Sequence, residues 1–280
     1  MSTITSHHIK NTANITRILG IGTLFSVLLL VGCVSISTDE DHAEGASDDS
    51  QKHTFVVGEN PTIDVRGFNG PIEIIAGDDG EVDVEAKLTI PSRVSYSATV
   101  NGNTVTVVAK KTGSGFTIGR SPGAEIRLVV PEQSTIKAHT SNGQIIVDGI
   151  TGNGDLESSN GKITVTDSDG EYVTSTSNGS IKFSNVSGQF SADTSNGKIE
   201  FLGSMLDGTS NHFKSSNGSI TVTFQDDPSI ELDARTSNGT INSDRPILAT
   251  TMEKTHLIGM YGDGSANLDM KTSNGSIGIH

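Results

Sequence analysis

Two pairs of aspartates come closest to a catalytic pattern: Asp167 with Asp169, and Asp226 with Asp227. Two carboxylates that flank a sugar linkage can act as the acid and the base of glycoside cleavage. The same oxygen atoms could also bind Ca²⁺ weakly. Both pairs lie in turn-like segments, however, where aspartate is common because its side chain bonds to nearby backbone. No EF-hand or glycine-rich calcium pattern surrounds them, so we predict neither a metal site nor a cofactor.

The histidines and serines do not complete a catalytic site either. The histidines beyond the N-terminal segment have no metal-ligand spacing, and they are His42, His53, His139, His212, His256 and His280. The sequence has no nucleophile elbow, P-loop or paired-histidine helix, and most serines belong to a repeated phrase. We therefore predict a protein that is not an enzyme. A carbohydrate-active enzyme built on a β-helix is the alternative.

The single cysteine, Cys33, follows an apolar run at 18–30 that has the length of a signal-peptide core and is short for a membrane span. The residues that end at Cys33 read LVGC, which resembles the lipobox of secreted lipoproteins. That resemblance implies that a signal peptide, 1–32, is removed and that Cys33 carries the lipid that anchors the chain to a membrane. An uncleaved N-terminal helix is the alternative. Both predict an extracytoplasmic, membrane-anchored protein.

The composition favours a thin, turn-rich β structure. Among 280 residues, 33% are hydrophobic, 32 are glycine and none is tryptophan. The net charge of −14 argues against nucleic acid as a partner and against electrostatic docking on anionic lipid. Residues 33–52 are polar, acidic and aperiodic, which predicts a flexible tether.

A phrase of the form TSNG or SSNG, with isoleucine two residues after the glycine, occurs seven times. Its glycines are separated by 18, 18, 18, 21, 21 and 36 residues, and periods near 20 indicate a solenoid. The repeated positions are Asn142, Asn160, Asn178, Asn196, Asn217, Asn238 and Asn274; Gly143, Gly161, Gly179, Gly197, Gly218, Gly239 and Gly275; and Ile145, Ile163, Ile181, Ile199, Ile220, Ile241 and Ile277.

Apolar residues stand two and four positions after each glycine, except at Ser243, and they alternate with polar ones, as in a strand with one buried face. Each unit therefore reads as strand, SNG corner, strand, glycine corner, with no room for a helix. We predict an all-β fold: a single-stranded, right-handed parallel β-helix at 136–280. A β-sandwich of short hairpins is the alternative, because Asn-Gly also favours hairpin turns.

Stacking explains why the phrase repeats. If consecutive coils lie directly over one another, we expect the asparagine amides to bond from coil to coil as a structural ladder. We expect the preceding Thr or Ser hydroxyls to form a second ladder, and the glycines to adopt positive φ. The isoleucines should form one interior column.

Residues 53–135 lack the full phrase and predict an N-terminal β region that caps the solenoid, with a hairpin at Asn101 and Gly102. FNGPI, at 68–72, resembles a degenerate first copy of the phrase. The longer units and the 242–264 segment insert extra residues on one side of the solenoid. Such insertions often form the binding face of a repeat protein.

The chain resembles the putative adhesin family of exported bacterial and archaeal proteins, formerly a domain of unknown function. The resemblance rests on LVVPEQSTIKAHTSNGQI, the serial TSNGxI units and the ending LIGMYGDGSANLDMKTSNGSIGI. It implies a right-handed β-helix and adhesion, and it supplies no catalytic residues. We thus predict a non-catalytic surface lipoprotein, held at the membrane by the Cys33 lipid, whose partner is an envelope glycan or another surface protein.

Overall fold

The computed structural model describes residues 49–113 and 119–280, and these residues form an all-β structure. The predicted signal peptide, Cys33 and most of the predicted tether lie outside the described residues. The strands are β1 Asp49–Val56, β2 Thr62–Arg66, β3 Ile72–Gly77, β4 Glu81–Thr89, β5 Val94–Asn101, β6 Thr104–Lys111, β7 Gly123–Pro131, β8 Thr135–Thr140, β9 Ile145–Asp148, β10 Gly154–Ser158, β11 Ile163–Thr166, β12 Asp169–Thr176, β13 Ile181–Thr194, β14 Ile199–Met205, β15 Ser210–Ser215, β16 Ile220–Phe224, β17 Ile230–Thr236, β18 Ile241–Ser243, β19 Leu248–Met252, β20 His256–Tyr261, β21 Ala266–Thr272 and β22 Ile277–Ile279. One 3-10 turn, Pro91–Arg93, precedes β5.

The alternating side chains build two parallel ladders whose buried faces enclose one core. Ladder A contains the strand before each SNG corner together with β2 and β6, and ladder B contains the strand after each SNG corner together with β3 and β7. Each strand of ladder A forms a row with the strand of ladder B that comes next in the rows below. The rows in chain order are row 1 (β2, β3), row 2 (β6, β7), row 3 (β8, β9), row 4 (β10, β11), row 5 (β12, start of β13), row 6 (end of β13, β14), row 7 (β15, β16), row 8 (β17, β18) and row 9 (β21, β22).

The rows do not stack in chain order at either end. Rows 3 to 7 follow one another, but row 1 lies between rows 2 and 3, because β2 pairs with both β6 and β8. Row 9 likewise lies between rows 7 and 8, because β21 pairs with both β15 and β17. The expectation that consecutive windings lie over one another throughout is therefore wrong at both ends. The long segments 78–103 and 244–265 allow this, since each can pass over a neighbouring row.

Antiparallel strands close the two ends of the stack. At the row 2 end, β5 pairs with β6, while β4 pairs with β7 and carries β1 on its other side. At the row 8 end, β20 pairs with β17 and carries β19. The predicted all-β class is confirmed, but the sheet is mixed rather than purely parallel. Asp49–Lys52, which the sequence assigns to the tether, form the first half of β1.

The core consists of aligned columns of side chains. The column two residues after each corner glycine is isoleucine in rows 3 to 9, and it is fully buried except at the half-buried Ile241. In rows 5 to 7 the core is aromatic, with ring centroids of Phe183 and Phe190 5.0 Å apart and those of Phe190 and Phe201 5.1 Å apart. Within the described residues, no helix is long and apolar enough to cross a membrane.

Candidate functional site

The asparagines of the SNG corners form a continuous chain of amide hydrogen bonds on the surface. Each Nδ2 donates to the Oδ1 of the asparagine in the adjacent row, at 2.7–2.9 Å. The chain begins at Asn69 of FNGPI, which accepts from Asn142 at 2.8 Å. At the far end it runs from Asn217 to Asn274 and only then to Asn238, which reproduces the interleaved row order.

The corner glycines are required for a different reason from the expected one. None of the seven has a positive φ. Instead, a Cβ built on Gly161 would lie 1.6 Å from the carbonyl oxygen of Gly143, and one on Gly179 would lie 1.9 Å from that of Gly161. The prediction of positive φ is therefore wrong. Glycine is needed because the backbones of adjacent corners touch.

The hydroxyls that precede the asparagines do not bond to one another, so the predicted hydroxyl ladder is also wrong. Thr176 Oγ1 donates to the carbonyl of Gly161 at 3.0 Å, and the N–H of Gly179 donates to the same hydroxyl at 3.2 Å. Six of the seven hydroxyls donate in this way to the glycine carbonyl of the adjacent row. Thr140 differs, because its hydroxyl is buried and has no partner among the described residues.

The opposite corner is tight wherever the period is 18 residues. Gly170 and Gly188 have φ of 136° and 148°, and each is packed against the backbone of the glycine one row earlier. Asp167 and Asn185 adopt left-handed conformations, with φ of 48° and 57°, and Asn185 Nδ2 donates to Asp167 Oδ1. Gln225 extends this contact by donating to Asn185 at 2.9 Å. Asp167 is therefore part of a turn, as its position in the sequence suggested.

Where the period lengthens to 21 residues, this corner opens into a cleft of about 410 Å³, here called the corner cleft. Its lining comes from the β14–β15 and β16–β17 connections, which lie in rows 6, 7 and 8. The lining residues are Gly203, Ser204, Met205, Leu206, Asp207, Phe224, Asp226, Asp227, Pro228, Ser229 and Ile230. Leu206 is 53% exposed although it is apolar. The cleft therefore combines an apolar floor with three carboxylates.

Among the described residues, each of these carboxylates has one side-chain hydrogen-bond or ion-pair partner. Ser204 Oγ donates to Asp226 at 2.6 Å, and Ser265 Oγ donates to Asp207. Arg245, from the 242–264 segment, lies 3.4 Å from Asp227 and donates to the carbonyl of Phe224 at 3.0 Å. One bond per carboxylate leaves further oxygen lone pairs free to accept from a ligand.

The structure brings only one of the two candidate aspartate pairs into this cleft. Asp226 and Asp227 line it together with Asp207, which the sequence did not single out, whereas Asp167 and Asp169 lie in rows 4 and 5. The change of period from 18 to 21 residues marks the location of the cleft. Nothing in the sequence distinguishes Leu206 and Met205 as a floor.

Four of the described histidines are paired with carboxylates rather than grouped around a metal. The pairs are His139 with Glu157, His212 with Asp269, His256 with Asp233, and His280 with Asp244, at 2.6–3.3 Å. Hydrogen bonding from Arg235 lowers the pKa of Asp233, and His256 adds to the effect. Among the described residues, no group of three metal-ligating side chains occurs.

Comparison with known proteins supplies a family. A family model described as Toastrack DUF4097 matches residues 130–280, which is more than half of the chain. No curated protein matches the chain.

Several solved structures resemble the chain at low sequence identity. A putative adhesin from Bacteroides fragilis is 14% identical, with a TM-score of 0.45, and the match covers 84% of this chain and 99% of that one. A putative cell adhesion protein from Clostridium sporogenes is 11% identical, with a TM-score of 0.37, covering 82% and 99%. A putative lipid binding protein from Parabacteroides distasonis is 12% identical, with a TM-score of 0.35, covering 83% and 97%.

Proposed function

The chain belongs to the Toastrack DUF4097 family, and from that premise we propose that it is a non-catalytic adhesin that binds its partner in the corner cleft. The observation that carries the proposal is the cleft itself. The corner that opens there is closed by short turns in rows 4 to 6. The extra residues leave both ladders in register across rows 6 and 7, so stacking does not require them.

The chemistry of the corner cleft favours a protein partner that presents lysine or arginine. The aliphatic stem of such a side chain can lie on Leu206 and Met205, while its charged end reaches Asp226 or Asp227. No exposed aromatic ring lines the cleft, because Phe224 is only 5% exposed. A flat platform on which a sugar ring could stack is therefore missing from its lining.

A membrane-anchored β-helix presents the cleft. The two ladders form the coils of a single-stranded, right-handed parallel β-helix with antiparallel caps. The signal peptide 1–32 is removed, Cys33 carries the membrane anchor, and an acidic tether joins the lipid to β1. This arrangement presents the corner cleft outside the cytoplasm.

A carbohydrate-active enzyme is the second candidate, because three aspartates converge on one cleft from successive rows. A general acid needs a carboxyl group that keeps its proton, usually because it is buried. The side chain of Asp227 is fully exposed, and Asp226 and Asp207 each accept a hydrogen bond from a serine. None of the three is a buried carboxyl group, so the cleft lacks the usual environment of a general acid and a binding role is favoured.

The test uses the chain from Cys33 onward, a compact unit by itself, with Cys33→Ser to prevent lipidation. Labelled protein is applied to whole cells and to a glycan array, beside the variants Leu206→Ser and Asp226→Asn. We expect each variant to weaken cell binding about 5- to 30-fold, the usual loss for an interface anchor. The matched control is Val173→Ser, since Val173 is 46% exposed but lies outside the cleft.

The outcomes separate the candidates. Cell binding that depends on Leu206 and Asp226 but not on Val173, with no signal on the array, supports a protein partner. Array binding with the same dependence identifies a glycan instead. Release of new sugar ends from a polysaccharide, lost in Asp226→Asn, would support the enzyme. Equal binding by all variants would remove the corner cleft as the site.

A further inference from the structure

His53 differs from the other described histidines in having no acceptor for a second proton. Both ring nitrogens are without solvent exposure, and neither has a hydrogen-bond partner among residues 49–113 and 119–280. The other four, by contrast, each lie beside a carboxylate. Burying a charged group without an acceptor is costly, and among the described histidines His53 is the one in that position.

Two aromatic rings flank the half-buried ring of His53. Its ring stacks on Phe55 of its own strand, with centroids 5.9 Å apart, and on Tyr96 of β5, with centroids 5.8 Å apart. Val84 is its register partner on β4. The charged neighbours Lys52, Asp83 and Glu85 alternate onto the opposite face of the same two strands.

Tyr96 offers no help to a charged ring. Its hydroxyl is buried without a partner, and burial raises its pKa to about 12, so it stays neutral at physiological pH. Burial also lowers the pKa of His53 below its usual range. Since unfolded histidine has a pKa of about 6.5, the contribution of neutral His53 to the attachment of β1 is fully present above that pH. It weakens as the pH falls through 6.5 towards the lower folded pKa.

β1 is an edge strand, so it can leave without breaking either ladder. It pairs only with β4, while β4 remains held by β7 after β1 has gone. Its other attachments are the inward side chains of His53 and Phe55, a hydrogen bond from Thr54 to Asp83 and an exposed ion pair between Lys52 and Glu85. The contact between His53 and Tyr96 also connects β1, on the ladder B side, to β5, on the ladder A side.

We propose that His53 is an acid-sensitive latch: protonation in mildly acidic surroundings releases β1 from β4 and from Tyr96, while the nine rows stay folded. Release frees eight residues, or about 26 Å of extended chain at about 3.3 Å per residue. The release itself does not depend on the proposed function. Only its use, to lengthen the reach of an anchored molecule, rests on the proposed lipid at Cys33.

Hydrogen exchange tests the latch on the same Cys33→Ser chain. Backbone protection of residues 49–56 is compared at pH 7.5 and pH 5.0, after correction for the intrinsic rate, with 181–201 as the internal reference. We expect protection of β1 to fall about fivefold or more. The ceiling is about 30-fold, set by a proton equilibrium with an unfolded pKa near 6.5. The reference strands should not change.

Two variants decide the cause. His53→Phe keeps a flat ring between Phe55 and Tyr96 but cannot be protonated, so its β1 should be equally protected at both pH values. His212→Phe removes a histidine that faces Asp269, so it should behave like the parent chain. Unchanged protection in the parent, or the same acid loss in His53→Phe, would overturn the latch. Neither result bears on ligand binding by the corner cleft, which is measured at pH 7.5.

Discussion

At the scale of single residues, the carbonyl of a corner glycine both accepts a hydrogen bond and excludes a side chain from the next corner. The carbonyl of Gly161 accepts from Thr176 and also lies where a Cβ on Gly179 would be. The hydroxyl therefore holds the two corners at a separation that excludes any side chain. From the sequence it was possible to predict that glycine recurs because rows stack. The reason for the glycine is backbone contact rather than φ. That reason depends on the distance between two backbones, which cannot be read from residue types.

Gly179→Ala should accordingly be severe. We expect it to cost more than about 3 kcal/mol of unfolding free energy, because the methyl group can be accommodated only if two rows separate. The comparison is Gly208→Ala, at a φ of 75° with open space around it, which should cost about 1 kcal/mol. Urea unfolding of both variants measures the difference. Similar losses would show that conformation, not contact, sets the requirement.

At the scale of elements, the rows are interchangeable neighbours. Rows 7, 8 and 9 present the same isoleucine, asparagine and glycine at the same positions, so any two of them could stack. That is why the sequence predicted the strands and corners but not their order at the ends. The order depends on the 244–265 segment, which contains β19 and β20. Because β20 pairs with one edge of β17 in row 8, row 9 pairs with the other edge, which faces row 7.

Engineered disulfides should report this order. Lys271 is the register partner of both Lys214 and Arg235, and adjacent parallel strands are about 4.8 Å apart. In the Cys33→Ser chain, Lys214→Cys with Lys271→Cys should therefore oxidise readily. Lys214→Cys with Arg235→Cys should not, because about 10 Å exceeds the reach of a disulfide. Non-reducing gels and mass spectrometry distinguish them, and the opposite result would restore chain order.

At the scale of the whole described molecule, the important feature is that neither terminal row is a bare parallel edge on ladder A. β5 covers row 2 and the β19–β20 hairpin covers row 8. Uncovered edges of stacked strands invite pairing with other molecules. The sequence indicated a cap at the N-terminal end, from the Asn-Gly hairpin, and an insertion near the C-terminal end. It could not show that the insertion folds back antiparallel.

Replacing residues 246–261 with a short glycine-serine linker should expose the outer edge of β17. We expect light scattering to rise with concentration and time while the circular dichroism remains that of a β protein. The control keeps the hairpin but carries Leu248→Ser and Met252→Ser, which removes its two most exposed apolar side chains. That control should stay monodisperse. A monodisperse hairpin-deleted chain would mean that other features prevent association.

The position of row 9 also bears on how the molecule is made. A ribosome delivers rows 7 and 8 before row 9, and until β21 and β22 have entered between those two rows, row 8 has only the β19–β20 hairpin as a native neighbour. Synthesis that stops early thus deprives the molecule of an interior layer rather than of an end. Row 9 therefore connects row 8 to the rest of the stack. Its late insertion distinguishes finished polypeptides from interrupted ones. In an interrupted polypeptide, row 8 would not be paired with another row and would be accessible to quality-control proteases.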